Sequence, residues 1–426
     1  MTAVILLSVL LLFIMMNIPV AFAIGVTCVG YLWYRDISLA ILGQRVVQGL
    51  YSYPFLALPM FVFAGALMEF GGITRRLMRL ANALIGHITG GLAAVTVLGN
   101  ALFGTLSGSA IGGTAAVGSI VIPAMRDKGY SASFAASLQG CCGILSSLIP
   151  PSLTMVIMGV TGNISIADLL IAGLLPGVLM AFLLMATAII LSKRQGYGRD
   201  TRASLKELRE AFIYAIPPLM LPVIILGGIF GGIVTVTEAA VLAVVYAFFL
   251  SCFVYREIRI RDLPKVCIKV IKIAVPIQII ISISSMFAWI ITTEQIAQQF
   301  ITFFTEFTTD PIIFLLLISV FLLIVGTFME SNALIIILIP ILMPVVRQYG
   351  IDPVYFAIIF VTNLCIGAVT PPLGVTLMTA ARIAQIRMSE SYRSLPPFLL
   401  AMVVSLILII AFPGLSTWLP KLMRTW

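Results

Sequence analysis

The sequence predicts an all-α polytopic membrane protein, laid out as an inverted-topology repeat with two re-entrant helical hairpins and two broken helices. Three observations carry that prediction: an overwhelmingly apolar composition, punctuating residues that recur at one constant offset, and two double prolines inside apolar runs. Of 426 residues, 61% are hydrophobic and 10% charged, with a mean hydropathy of +1.17. Soluble chains run at about 45–50% apolar and about 25% charged. A cytosolic enzyme, a nucleic-acid binder and a disordered scaffold are therefore excluded, and the lipid bilayer is the expected solvent. One helical span needs about 20 mostly apolar residues, so the chain has room for many. The net charge of +9 follows topology: 12 of the 25 Lys and Arg residues fall between Lys193 and Lys272, in two bands flanking an apolar stretch. Positive-inside sorting places such bands in the cytoplasm.

The N-terminus lacks a basic n-region, and its apolar run from Val4 to Trp33, broken at Asn17 and Pro19, reads as a first membrane segment rather than a cleaved signal. Shifting the chain by 221 residues lays Pro123 on Pro344, Arg126 on Arg347, Gly129 on Gly350, Pro150-Pro151 on Pro371-Pro372 and Pro176 on Pro397. The run Leu50 to Phe70 falls on Ile271 to Ile291 at the same shift. In the first copy, Gly99 to Gly118 (GNALFGTLSGSAIGGTAAVG) concentrates small residues and helix breakers, so a hairpin tip is expected near Ser107-Gly108-Ser109. In the second, Gly326 to Asn332 separates the short apolar arms Ile312–Val325 and Ala333–Met343. Irregular backbone at membrane depth persists only where protein buries it or water reaches it. The loop after Pro150-Pro151 carries no Lys or Arg, whereas the segment after Pro371-Pro372 carries Arg382, Arg387 and Arg393. The two copies should then run in opposite directions, with a binding site at their interface.

Each double proline should unwind a helix, since proline frees the carbonyl one turn earlier and disfavours helix in the residue before it. Bare carbonyls would then lie beside Ser146 and Ser147 in one copy and beside Asn363 and Thr370 in the other. Neutral oxygens of this kind suit a hard monovalent cation such as Na⁺ better than a transition metal. Half-helix N-termini beyond the prolines suit an anionic group. The hydroxyls of Ser107, Ser109, Thr154 and Thr376 are candidates to orient a carboxylate or polyol, and Arg382 to pair with a carboxylate, although its place in a basic loop serves topology equally. Intramembrane acids default to functional suspicion; Glu330, at the second tip, is the foremost, while Glu69 and Glu238 read equally as ion-pair partners or helix caps. His87 reads as interfacial. Six cysteines (Cys28, Cys141, Cys142, Cys252, Cys267, Cys365) show no C-x-x-C and read as free thiols.

The strings Gly104–Pro123 (GTLSGSAIGGTAAVGSIVIP), Gly143–Ser152 (GILSSLIPPS) and Asn363–Gly374 (NLCIGAVTPPLG) together resemble the large membrane subunit of the tripartite ATP-independent periplasmic (TRAP) transporters. The resemblance extends over essentially the whole chain. It implies an elevator-type, sodium-driven importer of an organic acid, of the sialic acid or C4-dicarboxylate type, multi-pass in the bacterial inner membrane. It also implies two partners, a separate small membrane subunit and a soluble periplasmic binding protein. The domains it implies are N-terminal scaffold helices over 1–80, a first transport repeat over 81–192, and basic linkers with scaffold helices over 193–310. A second transport repeat then covers 311–395, with a C-terminal helix over 396–426. Two or more Na⁺ are implied, one site mapping onto Ser107, Ser109, Gly143, Ser146 and Pro150. The other maps onto Gly326, Asn332, Asn363, Thr370 and Pro371. Glu330-Ser331 stands where many members carry Asp followed by a small residue or proline. The alternatives are an anion symporter of related broken-helix fold that works without a binding protein and is coupled to Na⁺ or to H⁺ through Glu330, and a passive channel. An intramembrane aspartyl protease lacks its paired acids here.

Overall fold

Apolar helices interrupted by proline and glycine make up the computed structural model, which describes residues 2–16, 18–51, 53–199 and 201–424; no strand occurs among them. Asn17, one of the two expected breaks in the first apolar run, lies outside the described residues. The run itself is two helices, α1 (Thr2–Met15) and α2 (Val20–Tyr34), rather than one segment. Pro19 sits at the start of α2, where its missing N–H costs nothing. Next come α3 (Ala40–Leu50), α4 (Tyr53–Phe70) and α5 (Ile73–Ile85).

The first hairpin is α6 (Gly91–Ser107) and α7 (Ala110–Asp127). Its tip is where the glycine-rich string places it, between Ser107 and Ala110, and Pro123 near the end of α7 is accommodated inside the helix. The following helix is interrupted: α8 (Ala132–Gly143), the single turn α9 (Leu145–Leu148), then α10 (Leu153–Gly162), bent by 46° at the break. The short α11 (Ile166–Ala172) and α12 (Leu174–Arg194) form one long apolar stretch ending in the basic band. Then come α13 (Leu205–Phe230) and α14 (Val236–Phe249). Each is started by a capping box, Ser204 with Glu207 and Thr235 with Glu238. Glu238 is thus a helix cap.

The second half repeats this order. It comprises α15 (Leu263–Thr293), α16 (Ile296–Phe307), α17 (Pro311–Gly326), α18 (Ser331–Gln348), α19 (Pro353–Gly367), α20 (Val375–Ala384), the turn α21 (Met388–Ser391), α22 (Pro396–Ala411) and α23 (Gly414–Arg424). Shifted by 221 residues, the bounds of α7 coincide with those of α18, and the start of α8 coincides with that of α19. Pro340 and Pro344 sit inside α18, so that arm continues past Met343.

By length and composition, five helices among the described residues can cross a membrane, and up to nine spans result if each bent pair counts as one. α8 and α19, the helices that lead into the breaks, are buried almost all round, as expected of apolar helices enclosed by protein. α19 packs against α17, α18 and α22, and α8 against α7 and α20. The breaks therefore lie at the centre of the molecule. α4 packs against α14, α15 and α6, forming one wall beside them.

Candidate ion and substrate site

Proline chemistry makes the first break. Pro150 disfavours helix at Ile149, whose backbone is extended (φ −79°, ψ 126°), and α9 ends there. Ser152 restarts the helix: its Oγ accepts from Met155 N at 3.3 Å and donates to Ser147 O at 2.5 Å. The hairpin tip needs Gly108, because its backbone is left-handed (φ +60°) and an added Cβ would lie 2.7 Å from Pro151 O. Tip and break are joined by the backbone bond from Leu153 N to Gly108 O, 3.2 Å. The second copy is built alike, with Leu373 N donating to Thr327 O at 3.3 Å. Gly367 there meets Gly326 so closely that an added Cβ would lie 2.7 Å from the Gly326 carbonyl carbon.

Between these joints lie oxygens that no group among the described residues satisfies. Ser146 Oγ and Asn363 Oδ1 are fully buried and have no hydrogen-bond partner among the described residues. Buried polar atoms are nearly always paired; Thr161, Ser192, Ser405 and Ser416 also carry unpaired hydroxyls among the described residues, but Ser146 Oγ and Asn363 Oδ1 are the two that stand at the breaks, where a ligand can be received. Gly113, in the second arm of the first hairpin, leaves the room for one. A methyl there would overlap Ser146 Oγ and stand 3.5 Å from the Gly143 carbonyl oxygen. Gly104, in the first arm, would press a Cβ to 2.9 Å from Ser146 Cα. The hairpin arms thus close on Ser146, and only hydrogen at both positions keeps a cradle beside its hydroxyl. Asn363 is held by its amide nitrogen, which donates to Ile359 O at 2.9 Å and Ser319 Oγ at 3.2 Å, leaving Oδ1 open. Oxygen donors without sulfur or imidazole fit an alkali cation; among the described residues no group of His, Cys, Asp and Glu fit to hold a metal ion forms.

A cavity of about 450 Å³ lies beside the breaks, between the hairpin tips on one side and α4 and α15 on the other. Of the residues the sequence singled out, Glu69, Ser107, Gly108, Ser109, Ser147, Thr154, Glu330, Asn332 and Thr376 are among those that line it. Ser109 caps α7, its Oγ accepting from Gly112 N at 3.3 Å. Asn332 Nδ2 donates to Glu330 Oε1 at 2.6 Å. Thr376 Oγ1 donates to Ala368 O at 3.1 Å. Gly143, Ser146 and Pro150 lie behind this lining in the first break, and Gly326, Asn363, Thr370 and Pro371 around the second; Thr370 Oγ1 is taken up by Ile366 O at 2.7 Å. Arg382 is not brought to the cavity. It is exposed near the end of α20, with its guanidinium 3.8 Å from Met378 Sδ.

Lys269 is the charged lining residue that sequence reasoning missed. It pairs with Glu69 at 2.6 Å, so Glu69 is an ion-pair partner rather than a cap. Lys269 reads as a loop charge because it lies in the basic band ahead of the apolar run that starts at Ile271, yet α15 already begins at Leu263. The signal was present in the spacing: Lys269, Ile273, Pro276, Ile277 and Ile280 fall on one helical face, and all five line the cavity. His87 sits in the turn between α5 and α6, and the six cysteines are free thiols.

Broken helices, hairpin tips and a central cavity define a multi-pass transporter. The family description "Tripartite ATP-independent periplasmic transporter, DctM component" matches residues 7–415. The chain belongs to this family, a family of inner-membrane transporters. It is 40% identical to the C4-dicarboxylate TRAP transporter large permease protein DctM of Pseudomonas aeruginosa, over 90% of each chain. It is 36% identical to the sialic acid TRAP transporter large permease protein SiaM of Vibrio cholerae, over 95% of each. The fold is also similar to the crystal structure of the Alcanivorax borkumensis YdaH transporter, with a TM-score of 0.61 over 90% of each chain at 14% identity.

Proposed function

We propose that this chain is the permease of a sodium-driven importer of an organic acid, of the C4-dicarboxylate or sialic acid type, which receives its substrate from a periplasmic binding protein. A small membrane subunit would complete the complex. The observation that carries the reading is the pair of unpartnered buried oxygens, Ser146 Oγ and Asn363 Oδ1, one at each break. Two Na⁺ held there would place positive charge behind the wall that carries Thr154 and Thr376, where the uncapped or lightly capped N-termini of α10 and α20 open on the cavity. An acid group is the complement of that field.

In this reading residues 81–192 and 311–395 are inverted repeats that move together as an elevator against 1–80, 193–310 and 396–426. The coincidence of helix bounds at the 221-residue shift supports the repeat, and the distribution of Lys and Arg supports its inversion. The energetics suffice without ATP, and the sequence holds no G-x-x-x-x-G-K-[ST] loop. One net charge crossing 100 mV is worth about 2.3 kcal/mol, and a tenfold ion gradient about 1.4 kcal/mol.

The test is uptake of labelled succinate or sialic acid into proteoliposomes containing the permease with its small subunit, the binding protein being added outside. Uptake is expected only with an inward Na⁺ gradient and the binding protein present. Equal uptake with choline in place of Na⁺ would overturn the coupling. Uptake by Glu330→Gln with the wild-type pH dependence is expected, since protons are not the coupling ion.

A further inference from the structure

The cavity wall carries three charges, Glu69, Lys269 and Glu330, so among the described lining residues carboxylates outnumber the single cation. Lys269 Nζ donates to Glu69 Oε1 at 2.6 Å and stands 5.2 Å from the centroid of the Phe70 ring. The pair is not sealed off: its side chains are 34% and 29% exposed. An ammonium has three donors. One is used on Glu69, and Lys269 is among the residues that line the cavity. Both partners stand on α4 and α15, the wall opposite the hairpin tips. Lys269 also belongs to the basic band Arg256 to Lys272, which positive-inside sorting puts at the cytoplasmic side. From Ile280 to Lys269 the lining face of α15 runs about 16 Å at 1.5 Å per residue, so the pair marks one end of an elongated cavity.

We propose that Lys269 is the counter-ion that receives the acid group of the substrate at the cytoplasmic end of the cavity, and that Glu69 is the built-in competitor that makes it let go. The inference rests on the organic-acid reading above. Among the charged side chains of the wall Lys269 alone attracts an anion, so it offers an acid a second foothold away from the field at Thr154 and Thr376. An ammonium without Glu69 beside it would hold a carboxylate more tightly than the pair does, because no neighbouring negative charge would oppose the acid. Glu69, already in contact, replaces the leaving acid at once and returns the cation to its paired state. Recognition and release thus depend on opposite members of one ion pair.

That opposition is what an experiment reads. In proteoliposomes of the whole permease complex, unlabelled succinate or sialic acid, whichever wild type carries, is loaded inside, and the internal concentration that halves initial uptake is measured. Lys269→Gln is expected to raise that concentration about tenfold and Glu69→Gln to lower it about tenfold, each about 1.4 kcal/mol. A purely structural pair predicts something else: both substitutions break the same contact, so both shift the value in the same direction or leave it alone, and that result overturns the proposal. Should an unpaired charge impair folding, E69Q/K269Q removes both charges at once. It supports the proposal if internal inhibition stays about tenfold weaker than wild type, and overturns it if inhibition is unchanged. A wild-type complex that carries neither acid removes the organic-acid reading and this inference together; wild-type transport with same-direction shifts removes this inference alone.

Discussion

Replacing Gly113 by Ala tests the cradle at the first break. The added methyl overlaps Ser146 Oγ and lies 3.3 Å from Ser146 Cβ. The obstructing atom is the end of a rotatable side chain, so the hydroxyl can move to another staggered well. Folding should therefore survive, with a thermal midpoint within a few degrees of wild type. The cation site should not survive, because the methyl takes the space between Ser146 Oγ and the Gly143 carbonyl. A polar contact to a charged group is worth about 1.5–3 kcal/mol, which corresponds to a rise of about 10- to 150-fold in the Na⁺ concentration that half-saturates uptake. Ser146→Ala removes the same oxygen by another route. If Gly113→Ala acts through Ser146, the double variant costs no more than the costlier single, since both delete one interaction. The assay is initial uptake against external Na⁺ for the four proteins. Additive losses, or a wild-type Na⁺ dependence in Gly113→Ala, would refute the reasoning.

Three further outcomes are expected. Asn363→Ala should weaken Na⁺ dependence by a similar factor at the second break, since Oδ1 is unpartnered while Nδ2 is held in place; unchanged Na⁺ titration would remove Asn363 from the site. Gly367→Ala should behave oppositely to Gly113→Ala, with a clear fall in thermal midpoint, because the atoms in its way are the Gly326 carbonyl carbon at 2.7 Å and Cα at 2.8 Å and backbone cannot rotate aside; a wild-type midpoint would show that the two breaks pack differently. Gln139→Leu should destabilise the protein by about 1–3 kcal/mol, because Gln139 exchanges hydrogen bonds with Asn100 at 2.9 and 3.2 Å and bonds Thr114 O at 3.0 Å inside the core. Denaturation of N100L/Q139L should recover part of that loss, since removing both partners leaves fewer unpaired groups.

Local chain chemistry was enough to specify the membrane class, the two tips and the two breaks. Pro150-Pro151 and Pro371-Pro372 act on their own neighbours, Gly108 supplies a backbone angle other residues avoid, and composition alone excludes water as the solvent of most of the chain. The same chemistry fell short at the second hairpin, where the arm expected to end at Met343, just before Pro344, runs on to Gln348 in a helix that tertiary packing keeps continuous. It also read Val4 to Trp33 as one segment where there are two helices. What only the tertiary structure decided are relations between residues far apart in the chain. The cradle exists because Gly113 and Gly104 meet Ser146 across the hairpin, the Glu69–Lys269 pair closes over 200 positions, and Arg382 is turned away from the cavity. A helix break is dictated by bonds within a few residues, whereas a cavity is the space left over when whole helices pack, and no short stretch of sequence encodes that remainder.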